Sequence, residues 1–309
     1  MGLALLSAVS QGILWGIMVL GVFITYKLLD IADLTVDGSF ALGGCVCAVL
    51  VVGGVDPVVA VLAAMLAGMI AGAVTGFLHT VFEIPAILAG ILTQIGLWSI
   101  NLRIMGKSNT PLLKSDTIFS VVGDLTGLSS NTVAMIVGVG IAVIIIALLY
   151  WFFGTEIGSA CRATGNNEAM VRALGVNTKV TKMIALTLSN GLVGLSGGLI
   201  CESQKYADIG MGTGAIVIGL AAIVIGEVLW RVLPWAKLHS FGGRLTAAVV
   251  GSVVYFLIRA IVLQMGMDAN DMKLLSAIIV ALALCIPVVW EKYQLRRKYK
   301  LALRDEGGR

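Results

Sequence analysis

Leu125–Thr155 reads LTGLSSNTVAMIVGVGIAVIIIALLYWFFGT, an uninterrupted stretch without a charged side chain. A helix needs roughly 20 predominantly apolar residues to cross the hydrocarbon core of a bilayer, so this stretch is long enough to span. Eight further charge-free runs follow the same pattern: Met1–Tyr26, Gly38–Val55, Pro57–Phe82, Ile84–Leu102, Met183–Cys201, Ile209–Gly226, Leu245–Ile258 and Leu274–Trp290. None shows the alternation over about ten residues that marks a membrane β-strand. The runs predict an all-α polytopic membrane protein with about nine transmembrane helices. Gly38–Val55 and Ile209–Gly226 are short and interrupted by glycine, so two of the nine are expected to be broken or short. Composition agrees: 59% of residues are hydrophobic, only 12% are charged, and mean hydropathy is +1.01. A soluble domain carries about twice that charge.

Most of the 21 Lys and Arg fall in three linkers. The first holds Arg162, Arg172, Lys179 and Lys182, the second Arg231, Lys237 and Arg244, and the third is the tail from Lys292 to Arg309. Basic loops stay in the cytoplasm. The N-terminus and the Asn101–Asn131 segment are then outside. The first run has no basic leader and no small-residue cleavage site, which argues against a secretory signal. Residues 1–290 read as one transmembrane domain and 291–309 as a basic cytoplasmic tail that orients the chain and can meet anionic lipid.

Enzymatic chemistry finds little support. Cys45, Cys47, Cys161, Cys201 and Cys285 lie mostly in apolar runs, and only His79 and His239 could join them. That set predicts packing thiols, with no metal site, no catalytic residue and no cofactor. Asn101–Ser108 (NLRIMGKS) ends like a phosphate-binding loop but has Asn where the first Gly is required, and it lies on the outer side. No nucleic-acid partner is expected either.

Polar groups at membrane depth are costly and so draw attention as functional candidates. Asp33, Thr35, Asp37 and Ser39 lie in Ala32–Gly44 (ADLTVDGSFALGG), which reads as a broken helix with Asp37 or Ser39 capping the half-helix that follows. Asp208 and Thr213 lie in Tyr206–Gly219 (YADIGMGTGAIVIG), of the same character. Paired Gly-interrupted segments in the two halves point to a central substrate path. Their half-helix N-termini would offer free N–H groups to a solute carboxylate. Plain membrane-edge turns are the alternative. Thr93, Gln94, Trp98 and Asn101 share a face of the span opened by Pro85, and either line the path or pack between helices. Arg259 is expected to snorkel, and Glu227 to pair with Arg231 four residues on. Glycines four apart (Gly12/Gly16, Gly68/Gly72/Gly76, Gly194/Gly198) predict close helix packing.

Two linkers are long. Arg103–Ser130, with Gly106, Pro111, Gly123 and Gly127, reads as loop. Gly154–Lys182 contains Ser159–Leu174, which predicts a short cytoplasmic helix closed by Gly175.

Ile157–Lys179 (IGSACRATGNNEAMVRALGVNTK) resembles the cytoplasmic coupling segment of ABC importer permeases of the branched-chain amino acid and ribose type. Ala32–Gly44, Ile84–Leu113 and Tyr206–Gly226 are similar to other stretches of that family, in the same order. DGSF at Asp37–Phe40 and NLRIMGK at Asn101–Lys107 look closest to a subgroup linked to tryptophan or tyrosine. The resemblance implies a permease subunit in a prokaryotic inner membrane, paired with a second permease copy. It also implies two cytoplasmic ABC ATPases that hold all ATP hydrolysis, and an extracytoplasmic solute-binding protein. Arg162, Asn166, Asn167, Glu168, Arg172, Leu174 and Gly175 would then form the coupling segment. An ion-coupled secondary transporter, using Asp33, Asp37 or Asp208 as a proton relay, is the competing reading.

Overall fold

The computed structural model describes residues 2–113, 115–127, 129–232 and 240–265, with Asp271, Leu274, 277–282 and Cys285 beyond them. Seven described helices are long and apolar enough to span: α1 (Gly2–Phe23, continued by a π-helical turn at Ile24–Leu28), α2 (Thr35–Val52), α3 (Pro57–Thr80), α4 (Ala86–Met105), α6 (Ser130–Gly154), α9 (Thr178–Gln204) and α11 (Phe241–Gln264). An eighth, α10 (Ala215–Val232), is shorter in its apolar part. These eight correspond to eight of the expected runs. The ninth, Leu274–Trp290, falls largely outside the described residues.

Helix α9 is the axis of the molecule, mostly buried along its length, whereas α3, α4 and α6 leave apolar faces open. That contrast is what lipid-facing and interior helices should show. Small residues build the axis. A Cβ on Gly68 or Gly72 of α3 would collide with the carbonyls of Asn190 or Leu186, and one on Gly43 of α2 with that of Gly194. The four-residue glycine spacing therefore does what it predicted, bringing backbones into contact where lipid gives no hydrophobic drive. Serines fix the helices in register. Ser196 and Ser189 of α9 donate to the carbonyls of Leu14 (2.8 Å) and Gly21 (2.7 Å) of α1. Ser252 of α11 donates to that of Gly12 (2.8 Å).

Two linkers differ from expectation. The predicted single helix Ser159–Leu174 is two helices, α7 (Glu156–Asn166) and α8 (Glu168–Ala173). Asn167 breaks them: its backbone is extended and its side-chain oxygen accepts from the Met170 N–H (3.0 Å), starting a new helix instead of continuing the old one. Gly175 closes α8 at φ +84°, as the sequence required. The opposite linker is more than loop. Strand β1 (Asn109–Pro111) pairs antiparallel with β2 (Tyr206–Asp208), register Thr110 to Ala207. Helix α5 (Ile118–Thr126) follows, started by a Thr117/Ser120 capping box. Its first N–H also donates to the buried Glu202 at the end of α9 (2.8 Å). A strand of three residues is too short to be read from periodicity, and both the strand and α5 depend on partners some 90 residues away.

Candidate functional site

The two interrupted segments meet. After the π turn, residues 29–34 leave helical geometry, with Asp30 at φ 56°, and α2 begins at Thr35. From the other half, residues 209–214 pass alongside α2, Met211 near Gly44 and Gly212 against the Asp37 carbonyl, before α10 begins at Ala215. The N-termini of α2 and α10 thus lie side by side, deep in the bundle.

Their charges are already met. Asp33 Oδ1 accepts from the Thr35 N–H (2.9 Å) and so serves the start of α2. This corrects the expectation that Asp37 or Ser39 would cap it. Asp37 serves the other helix: Oδ2 accepts from the Gly214 N–H (2.8 Å) and Oδ1 from the Ile216 N–H (2.9 Å). The positive end of each half-helix faces a carboxylate of this chain. Neither is a free cradle for a solute carboxylate, contrary to the expectation from sequence.

The nine path candidates divide into three groups. Asp33, Thr35, Ser39 and Thr93 belong to a buried polar lattice. Asn190 donates to Asp33 Oδ2 (2.7 Å) and to the Leu186 carbonyl (3.1 Å), and accepts from Ser39 (2.7 Å). Thr35 bonds Thr75 (2.7 Å), which donates to Thr93 (2.9 Å). Every member is satisfied, and the lattice ties α2, α3, α4 and α9 together. Asp37, Gln94, Asn101 and Thr213 instead surround a cavity of about 40 Å³ with Gly38, Ala41, Trp98 and Ile209. Asn101 is 1% exposed and its Oδ1 has no partner among the described residues. Asp208 joins neither group. It lies on β2, where Oδ1 accepts from the Gly210 N–H (2.7 Å). Sequence reading missed Asn190 and Thr75. Each is an uncharged polar residue whose role depends on a partner distant in the chain, Asp33 for Asn190 and Thr35 for Thr75.

On the α7–α8 face, Glu168 gathers three donors: Arg172 (2.7 Å), Lys182 (2.7 Å) and Thr178 (3.0 Å). The bond from Lys182, helped by Thr178 and Arg172, holds its carboxyl below the usual carboxylate range against the opposing effect of burial. Glu168 therefore steadies the α8–α9 junction. Asn167 caps α8, Arg162 stacks on Phe241 with 5.4 Å to the ring centroid, and Asn166 lies beside it. Among coupling candidates Leu174 stands out into solvent, 73% exposed, as does Met170. Glu227 pairs with Lys27 (3.0 Å); the side chain of Arg231, its expected partner, lies outside the described residues. Arg259 sits over Phe256, 5.8 Å to the centroid. Cys45, Cys47, Cys161 and Cys201 are buried free thiols; burial pushes Cys161 up to about 11. Among the described residues no His, Cys, Asp and Glu cluster could hold a metal ion.

Residues 4–285 match the family described as branched-chain amino acid transport system, permease component. The chain is similar to the tyrosine transport system permease protein of Clostridioides difficile (strain R20291), 38% identical over 276 residues covering 89% of this chain and 88% of the relative. It is also similar to the ribose import permease protein RbsC of Escherichia coli (strain K12), 26% identical over 256 residues covering 82% and 76%. Among solved structures, PsaBC from Streptococcus pneumoniae in complex with Fab has a similar fold, with TM-score 0.50, 15% identity and coverage of 91% and 89%.

Proposed function

Because the chain belongs to the branched-chain amino acid transport system permease family, we propose that it carries an aromatic amino acid, with tyrosine or tryptophan the leading candidates. The chain is the permease component of an ABC importer, and the observation that carries the substrate reading is the 38% identity to a permease named for tyrosine over nearly the whole of both chains. The cavity supports it chemically. Trp98, 52% exposed, offers an aromatic face, while Asn101 Oδ1, without a partner among the described residues, offers an acceptor suited to an ammonium group. A space of about 40 Å³ holds little more than a water molecule. Passage of an amino acid therefore requires the start of α10 to part from α2.

Two copies of the chain in an inner membrane, two cytoplasmic ATPases and an extracytoplasmic binding protein complete the reading. The positive-inside rule puts α7 and α8 in the cytoplasm, where Met170 and Leu174 form an exposed apolar step for the ATPase. Leu174→Asp should release the ATPase on co-purification, while the permease keeps its elution profile and Tm. Retention of the ATPase would move the contact elsewhere.

Reconstitution into proteoliposomes with a partner ATPase and binding protein tests the substrate. Labelled tyrosine or tryptophan should accumulate with ATP, and leucine and ribose should not. Uptake of leucine or ribose alone would overturn the aromatic reading. Uptake driven by an ion gradient without the ATPase would favour a secondary transporter.

A further inference from the structure

A second cavity, of about 580 Å³, opens on the α7–α8 face, away from the path. Its described lining is Lys27 and Leu28 from the end of the π turn, Ser159, Arg162, Ala163 and Asn166 from α7, and Phe241 and Arg244 from the first turn of α11. Three of these are cations and none is acidic. Glu227 already neutralises Lys27, with both carboxylate oxygens 3.0 Å from Nζ. Among the described residues neither Arg162 nor Arg244 has a carboxylate partner. The connection 233–239, outside the described residues, contains Lys237 and His239 and no acidic residue in its sequence.

Two further features point the same way. Arg162 Nε is buried without a partner among the described residues, although the guanidinium is held in place on the Phe241 ring. A fixed guanidinium lacking an acceptor is a fork waiting for one. Helix α11 also starts here, and its N-cap Ser240 makes no side-chain capping bond. The first N–H groups of this 24-residue helix thus lack the side-chain acceptor that Asp33 and Asp37 provide elsewhere. The α2 and α10 starts are met by the chain's own carboxylates, whereas the α11 start borders a basic cavity.

We propose that this cavity binds a phosphate group, clasped by Arg162 and Arg244 at the start of α11 with Asn166 as a further donor. Its volume lies within the usual range for small-ligand sites. Its place at the membrane-cytoplasm edge admits two sources of the same chemistry, an anionic phospholipid headgroup or a soluble phosphate. Either would pin α7 to α1 and α11, and so set the stiffness of the segment proposed to meet the ATPase. The site itself stands independently of which solute is carried.

The test uses the full-length permease in neutral detergent, at ionic strength matched with sodium chloride. Tm is followed during titration with inorganic phosphate and, separately, with short-chain phosphatidylglycerol. A saturable rise is expected, with affinity falling about tenfold for each guanidinium removed in R162Q and R244Q. A rise with phosphatidylglycerol alone identifies the lipid headgroup as the source, and a rise with both identifies a soluble phosphate group as able to enter. No saturable rise with either probe, or an equal rise in the double variant, would overturn the proposal. If R162Q does not fold, R244Q alone decides, because Arg244 is exposed and lies at a helix start. Unchanged affinity in that variant would count against the site.

Discussion

Asp33 and Asp37 are four residues apart, both near the start of α2, and both hold helix N-termini, yet they sit in different worlds. Asp33 is 2% exposed and closes its own helix, and its second oxygen is held by Asn190 in a lattice where each polar atom has a partner. Asp37 reaches across to α10 and borders a cavity where Asn101 Oδ1 has no partner among the described residues. Polarity at membrane depth is common to both regions and so cannot tell structural glue from pathway. Satisfaction can. A finished lattice has nothing to offer a solute, whereas an open acceptor beside a movable helix start does.

Thiol chemistry gives the largest contrast. In a C285S background, which removes the exposed native thiol and leaves buried ones, Thr213→Cys should react readily with a membrane-impermeant reagent. Ser39→Cys, at a position with 0% exposure, should not react in any nucleotide state. Labelling of both would mean that the lattice opens during transport, and the division drawn here would fail.

Next comes stability. Asn190→Ala leaves the Asp33 carboxylate and the Ser39 hydroxyl short of a partner in the interior. Hydrogen bonds to charged groups contribute roughly 1.5–3 kcal/mol and a stranded buried charge costs more, so a marked fall in Tm and yield is expected. Adding Asp33→Asn, which removes the stranded charge, should recover part of the loss. Failure to recover any would show that Asn190 acts through packing alone.

These two regions also mark what was legible in the sequence. The placement of eight apolar helices follows from long charge-free runs, and the two interrupted segments are visible because Gly and Asp punctuate them. Which aspartate caps which helix is not visible: the Asp37 bond to Gly214 joins residues 177 apart, and helix-capping rules look only a few residues ahead. The role of Asn190 is hidden for a related reason, since its partner Asp33 lies 157 residues away in the chain. The α7–α8 break has a signal in the sequence, because Asn167 followed by Glu168 is a helix start that carries no Gly or Pro.

Asp37→Ala should have an intermediate effect. Losing an N-terminal cap costs about 1–2 kcal/mol, and here one side chain supplies two bonds to α10. Transport should fall more steeply than Tm, because the same bonds set how α10 parts from α2. A proportionate loss of both would make Asp37 another piece of lattice.

Asn101→Ala should change stability least, and for that reason it tests the comparison most finely. Asn101 is as buried as Asn190, 1% against 0% exposed, and a burial rule would rank the two substitutions together. Hydrogen bonding ranks them apart. Removing Asn190 strands its neighbours, whereas removing Asn101 takes away an oxygen that has no partner among the described residues and so relieves a desolvation cost that nothing offsets. Against that relief stands a slightly larger cavity, whose cost for so small a truncation is on the order of 1 kcal/mol. The two nearly cancel, so Tm should stay within a few degrees of the unmodified chain. Uptake should nonetheless slow, with KM rising more than the maximal rate falls, because the open acceptor is offered to the solute rather than to the fold. A drop in Tm matching that of Asn190→Ala would show that Asn101 has an unseen partner in the assembled transporter, and the cavity would then join the lattice.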